Sequence, residues 1–209
     1  SGGGARGAAH VGVLKVLEEI HVPVDLIAGA SMGSIVGGLY ATGMSPQEME
    51  DALATMDWDA SFEDSVPRKE MPFRRKFDES SFLTKLTIGI QDGHIALRTG
   101  LVDGQKLNFI LRQLTLPSAT VDDFDKLSIP FRATATDVAS GEGIVLKRGN
   151  VADAMRASMA FPGLFSPVEL EGRLLVDGGV AENFPVETAR KAGAEVLVAV
   201  NIGTPPAGK

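Results

Sequence analysis

The stretch Asp25-Leu26-Ile27-Ala28-Gly29-Ala30-Ser31-Met32-Gly33-Ser34-Ile35-Val36-Gly37-Gly38 constrains this chain more than any other. Leu26 to Ala28 is a short apolar run of strand length, and an apolar helix is expected to begin near Met32. Between them lies Gly29-Ala30-Ser31-Met32-Gly33, a G-x-S-x-G pattern. Small residues on both sides of the serine let a chain reverse tightly, so the hydroxyl stands exposed above the edge of a sheet. The helix behind it aims free N–H groups and its positive dipole end at the same place. A glycine-lined strand–helix turn with an incidental serine is the plain alternative. The preceding strand and the following apolar helix are the context that a nucleophile elbow requires.

A chain of 209 residues with 44% hydrophobic content can bury one sizeable core, so a single domain over 1–203 is expected, with 204–209 as linker or tail. The formal charge of −7 argues against a general nucleic-acid binder, which needs a basic face. No apolar run reaches the ~18–20 residues that span a bilayer. With no cysteine, disulfides, zinc–thiolate sites and thiol nucleophiles drop out together. Ser1 opens directly on glycines, where a βα loop should have a strand before it. The expectation is a domain lacking its first strand, trimmed from a longer chain.

Residues 2–7, Gly2-Gly3-Gly4-Ala5-Arg6-Gly7, feed a helix whose apolar positions are Val11, Leu14, Leu17 and Ile20. Such a run makes a nest of backbone N–H groups able to hold an anion. It suits an oxyanion hole built from Gly2, Gly3, Gly4, Ala5 and Arg6. Gly2, Gly4 and Gly7 also match the dinucleotide fingerprint G-x-G-x-x-G, which asks for an acid about 20 positions on, at the far end of the next strand. Asp25 has the spacing but stands at the start of its strand. A tight turn for helix–sheet packing is the third reading. The elbow that follows favours the oxyanion hole.

Further on, Ser45-Pro46-Gln47-Glu48 spells a capping box with proline at the first helical position. Residues 57–80 lose periodicity and carry Arg74-Arg75-Lys76 between Phe73 and Phe77, either a solvated loop or a contact for an anionic membrane. Leu86 to Leu97 alternates around Asp92-Gly93, a hairpin signature. Asp103 is read as the cap of a helix carrying Leu107, Ile110, Leu111 and Leu114. Strands are expected at 129–136, 144–147, 174–176 and 196–200, with helices at 151–159 and 185–192. This alternation predicts an α/β fold with a mainly parallel sheet and its sites at the strand C-terminal ends.

A serine hydroxyl needs a neighbouring base. The histidines are His10, His21 and His94, and none follows the late acidic residues, as a triad in the α/β-hydrolase order would require. His10 and His21 fall in or at the end of the first helix and read as packing or surface residues. Asp177 is the better base. It ends an apolar strand, and Gly178 and Gly179 let backbone or substrate come close. An ordinary aspartate, of pKa ~3.9, is a weak base. Burial beside an apolar acyl pocket would raise it toward the working pH.

Taken in order, the Gly2–Gly7 loop, Gly29-x-Ser31-x-Gly33 and Asp177-Gly178-Gly179 resemble the patatin-like phospholipase family, as does Arg156-Ala157-Ser158-Met159-Ala160-Phe161-Pro162. The similarity covers nearly all of 2–203. It implies a three-layer α/β/α fold, a Ser31–Asp177 dyad, the glycine loop as oxyanion hole, and lipid acyl hydrolase activity without metal or organic cofactor. Implied partners are phospholipid and the membrane surface, with a homodimer as a candidate assembly. Among bacterial members the chain looks most like the passenger of a patatin–β-barrel type V secretion protein, so a secreted or cell-surface location in a Gram-negative bacterium is expected, with the cytoplasm as the alternative. Family elbows often read Gly-Thr-Ser, whereas position 30 here is alanine. The competing functions are a dinucleotide-binding oxidoreductase and a catalytically silent membrane-binding module.

Overall fold

The computed structural model describes residues 1–56, 88–91, 94–97 and 100–203, with backbone alone for 88–91, 94–97, 100 and 101. The Arg74-Arg75-Lys76 loop, the Asp92-Gly93 turn and the tail at 204–209 lie outside the described residues. After a 3₁₀ turn, Gly4–Ala8, come helix α1 (Ala9–Glu19), strand β1 (Ile27–Ala30), α2 (Met32–Ala41) and α3 (Pro46–Thr55). The middle supplies β2 (Ile88–Gln91), β3 (His94–Leu97), β4 (Gly100–Val102) and α4 (Gln105–Leu114). The second half adds β5 (Phe131–Asp137), β6 (Gly143–Leu146), α5 (Val151–Ser158), β7 (Gly163–Phe165), β8 (Val168–Leu170), β9 (Arg173–Asp177), α6 (Gly179–Glu182) and α7 (Val186–Lys191).

β5 organises the rest. Its first half pairs with β1 in parallel, Ile27 opposite Phe131 through Ala30 opposite Thr134. Its second half pairs antiparallel with β9, beginning with Ala135 opposite Asp177. β6 covers Ala133 to Thr136 antiparallel. Because β6 holds one edge of β5 across those residues, β1 and β9 must share the other edge. They approach end to end. Ala30 and Asp177 therefore face consecutive residues of β5, Thr134 and Ala135.

This corrects the expected mainly parallel sheet. Among the described strands one pairing in the main sheet is parallel and three are antiparallel. Short connections dictate the difference. β8 and β9 are joined through Glu171 and Gly172, both at positive φ, the geometry of a type I′ hairpin turn. β5 and β6 are joined by five residues, too few for a parallel crossover.

The strand period of two sorts the layers. Phe131 and Ala133 face the main core with Met32, Ile35, Val36 and Leu39 of α2 and Val151, Ala152, Ala154 and Met155 of α5. Thr134 and Thr136 face the opposite way, against Gly178 and the backbone of Ala181. Helices thus flank the sheet on both sides. The capping box on α3 forms as expected, Ser45 Oγ accepting from the Glu48 N–H and the Glu48 carboxylate from the Ser45 N–H. β2 and β3 pair antiparallel, Ile88 opposite Leu97, as the alternation required.

Two local expectations fail. The residue capping α4 is Gly104, at φ 73°, and the carboxylate of Asp103 instead accepts from Ser166 Oγ at 3.0 Å. Val196 to Val200 joins no sheet among the described residues. That segment borders a cavity of about 700 Å³, lined also by Leu14 and Leu17 of α1 and by Ile27 and Ala28. The gap leaves its backbone without a strand to pair with, and Val196 and Val198 are exposed.

Candidate active site

Ser31 occupies the N-cap position of α2, at φ 51° and ψ −125°. L-residues rarely adopt this conformation, and it persists only where its surroundings impose it. The imposing groups are close packed. A Cβ on Gly29 would collide with the backbone of Gly33, and one on Gly33 would come within 2.6 Å of the Ser1 carbonyl oxygen. The Ser31 carbonyl accepts from the Ser34 N–H at 2.9 Å and from Ser34 Oγ at 2.7 Å. A serine at a helix N-cap ordinarily turns its hydroxyl back onto the first turn. Here no such bond forms, and the hydroxyl is directed outward.

It is directed at Asp177: Ser31 Oγ donates to Asp177 Oδ2 at 2.7 Å. The second carboxylate oxygen accepts from the Gly179 N–H at 2.7 Å. The backbone on either side is fixed as well. The Asp177 N–H donates to the Ala160 carbonyl at 2.9 Å, and the Asp177 carbonyl accepts from Thr136 Oγ1 at 2.9 Å. Asp177 is buried, and burial pushes its carboxyl above the ordinary aspartate value; the bonds from Ser31 and Gly179 oppose that rise without cancelling it. The outcome is a carboxylate better able to take a proton, in direct hydrogen-bond contact with a hydroxyl.

The glycine loop meets this pair at Gly2, where an added Cβ would lie 2.9 Å from the Ser31 Cβ. The Gly2 N–H already donates to the Asn183 carbonyl at 3.2 Å, so it is occupied. Gly3 sits against Ile202, and Gly4, Ala5 and Arg6 lie on the exposed side of the turn. N–H groups in the first turn of such a helix have no partner within it. Gly7 is packed under Met32, locking the turn to the elbow helix.

The histidines stand apart. His10 Nε2 donates to the Ser1 carbonyl at 2.7 Å, and burial lowers its pKa, which favours the neutral ring. His21 is exposed at the end of α1, and the side chain of His94 lies outside the described residues. Asp25, the acid that a dinucleotide fingerprint would need, is exposed before the first residue of β1, at the opposite end of that strand from Ser31. Sequence reasoning gave no role to Ser34, Thr136 or Ser158, although Ser158 lies in the family-like stretch Arg156–Pro162. None carries a local signature, because each acts by a bond that only the fold creates.

Fold and site together define a class: an α/β/α domain with a strained serine on a sharp strand–helix turn, hydrogen-bonded to an aspartate at the end of a neighbouring strand. The chain belongs to the patatin-like phospholipase family, whose profile matches residues 1–190. An uncharacterised NTE family protein of Mycobacterium bovis is 33% identical over 207 residues, 99% of this chain and 48% of that protein. Human patatin-like phospholipase domain-containing protein 6 is 31% identical over 208 residues, 97% of this chain and 13% of that protein. A lysophospholipase, nte1 of Aspergillus fumigatus, is 32% identical over 203 residues, 97% of this chain and 12% of that protein. The chain therefore spans about half the length of the mycobacterial relative and about an eighth of the other two. Among solved structures, VipD from Legionella pneumophila shares the fold, with a TM-score of 0.53 at 16% identity over 87% of this chain and 45% of that one.

Proposed function

We propose that this domain hydrolyses acyl ester bonds of phospholipids or lysophospholipids, with Ser31 as nucleophile and Asp177 as its base. The observation that carries the reading is the 2.7 Å bond from Ser31 Oγ to a buried carboxylate of raised pKa. Asp177 takes the hydroxyl proton as Oγ attacks the acyl carbonyl carbon. The carbonyl oxygen becomes an oxyanion, stabilised by N–H groups of the glycine turn among Gly3, Gly4, Ala5 and Arg6; the Gly2 N–H is already given to the Asn183 carbonyl. Collapse breaks the ester C–O bond, and Asp177 returns its proton to the departing lysolipid or glycerophospho-alcohol. Water, deprotonated by the same carboxylate, then attacks the acyl-serine, and the Ser31 hydroxyl is restored with release of the fatty acid.

Lipid as substrate is supported by the family and by the lysophospholipase name of the fungal relative. The test compares the native chain with Ser31→Ala on phosphatidylcholine and lysophosphatidylcholine, alongside labelling by a fluorophosphonate. Fatty acid release and labelling should both vanish in the variant while the circular dichroism spectrum is kept. Residual turnover near the native rate would end the Ser31 assignment.

A further inference from the structure

We infer that Ser158, to which no role has been given, is a positioning residue that holds the nucleophile and its base in register. The inference rests on the Ser31–Asp177 reading above. Ser158 is the last residue of α5 and fully buried. A buried serine at the end of a helix commonly bonds within its own last turn. Here Ser158 Oγ accepts from the Ser31 N–H at 3.0 Å, 127 residues away in sequence. Its carbonyl accepts from the Gly178 N–H at 3.2 Å, the residue after the base. One residue thus bonds the backbone at both halves of the dyad, and α5 acts as the gauge between β1 and β9.

The need for such a gauge follows from the strain at Ser31. At φ 51° the peptide before Ser31 is rotated so that its N–H leaves the β1–β5 ladder, which ends at Ala30. Ser34 fixes the carbonyl side of Ser31, and Ser158 fixes the N–H side. Without the Ser158 hydroxyl the partly buried Ser31 N–H loses its acceptor, and the turn can relax toward less strained backbone angles. Relaxation swings Oγ away from Asp177. Because the contact is to the nucleophile's backbone and not to substrate, the loss should fall on kcat and leave KM in place. A displacement of about 1 Å at a reacting atom costs on the order of 10²-fold.

The experiment measures hydrolysis of a soluble p-nitrophenyl ester and the rate of fluorophosphonate labelling for Ser158→Ala, Ser158→Cys, Ser31→Ala and Ala157→Gly. The last variant perturbs the same buried helix without touching the Ser31 N–H. Ser158→Ala should lose at least tenfold in kcat and in labelling rate, with KM within twofold of the native value. Ala157→Gly should stay within threefold of native on both. Ser158→Cys keeps the volume but offers a weak sulfur acceptor; it should lose at least fivefold, and it carries the test if Ser158→Ala does not fold. A folded Ser158 variant no slower than Ala157→Gly overturns the inference. The parallel Ser31→Ala result separates this from failure of the dyad: an inactive Ser31→Ala beside a fast Ser158→Ala removes only Ser158. An active Ser31→Ala removes the underlying reading.

Discussion

At the scale of single residues the site is two unfavourable states held against each other. Ser31 occupies backbone angles that cost roughly 1–3 kcal/mol, and Asp177 is a buried carboxylate whose charged form has been stripped of water. Each is tolerable because neighbours over-determine it. Asp177→Asn keeps the shape but cannot accept a proton, so kcat should fall by roughly 10²–10⁴-fold; an ester assay on the folded variant measures this. Because burial raises the Asp177 pKa, the native enzyme should lose kcat/KM as pH falls, through a limb lying above the ordinary aspartate range. A limb at or below that range would mean that a different group is the base. Ser31 and Asp177 could be found in the sequence because glycines beside them announce tight backbone. Ser158 stands in the family-like stretch Arg156–Pro162, but its bond to the Ser31 N–H could not be read there, because no glycine or turn signature beside it marks that contact. Asp103 was misread for the converse reason: an aspartate before a helix suggests a cap, but its carboxylate is used by Ser166.

At the scale of elements, the proposed dyad depends on two strands meeting end to end along β5. Alternating helices and strands in the sequence were enough for the α/β class and for most element positions. They were silent on strand direction, which hairpin connections decide, and β7 and β8 are too short to leave a periodic trace. The close fit of β9 to β5 lets the meeting point be tested. Gly178 follows Asp177, and a Cβ there would collide with the carbonyl of Thr134, a backbone atom that cannot swing aside. Gly178→Ala should therefore push the end of β9 off β5. Overpacking of this kind typically costs about 1–3 kcal/mol. The Ser31–Asp177 bond should lengthen with it, so thermal melting should show the destabilisation and activity should fall further than stability alone explains. Melting and kcat within error of native would show that the strand ends are not tightly coupled.

At the scale of the whole molecule, the charged form of the buried Asp177 carboxylate, the base in the proposed mechanism, lowers the stability of the fold relative to its protonated form. Its folded pKa lies above the unfolded one, so the folded state binds more protons from Asp177 than the unfolded chain does. Stability from this group is fully present below the unfolded aspartate value. It declines as pH rises and is lost once pH passes the folded value, above which the domain bears the whole penalty. Asp177→Asn removes that penalty while keeping the bonding: the amide oxygen can accept from the Gly179 N–H, and the amide nitrogen can donate to Ser31 Oγ. The other titrating groups are common to both proteins and cancel in the difference. The inactive variant should accordingly melt at a higher temperature than native at pH 7–8. The gap should close as pH is lowered toward and below the unfolded aspartate value, where native Asp177 is neutral in both states. Paired thermal melts across that range decide the matter. A variant less stable than native at neutral pH would mean that the charged carboxylate is better solvated by Ser31 and Gly179 than its burial implies, and that the acid limb of the rate belongs elsewhere.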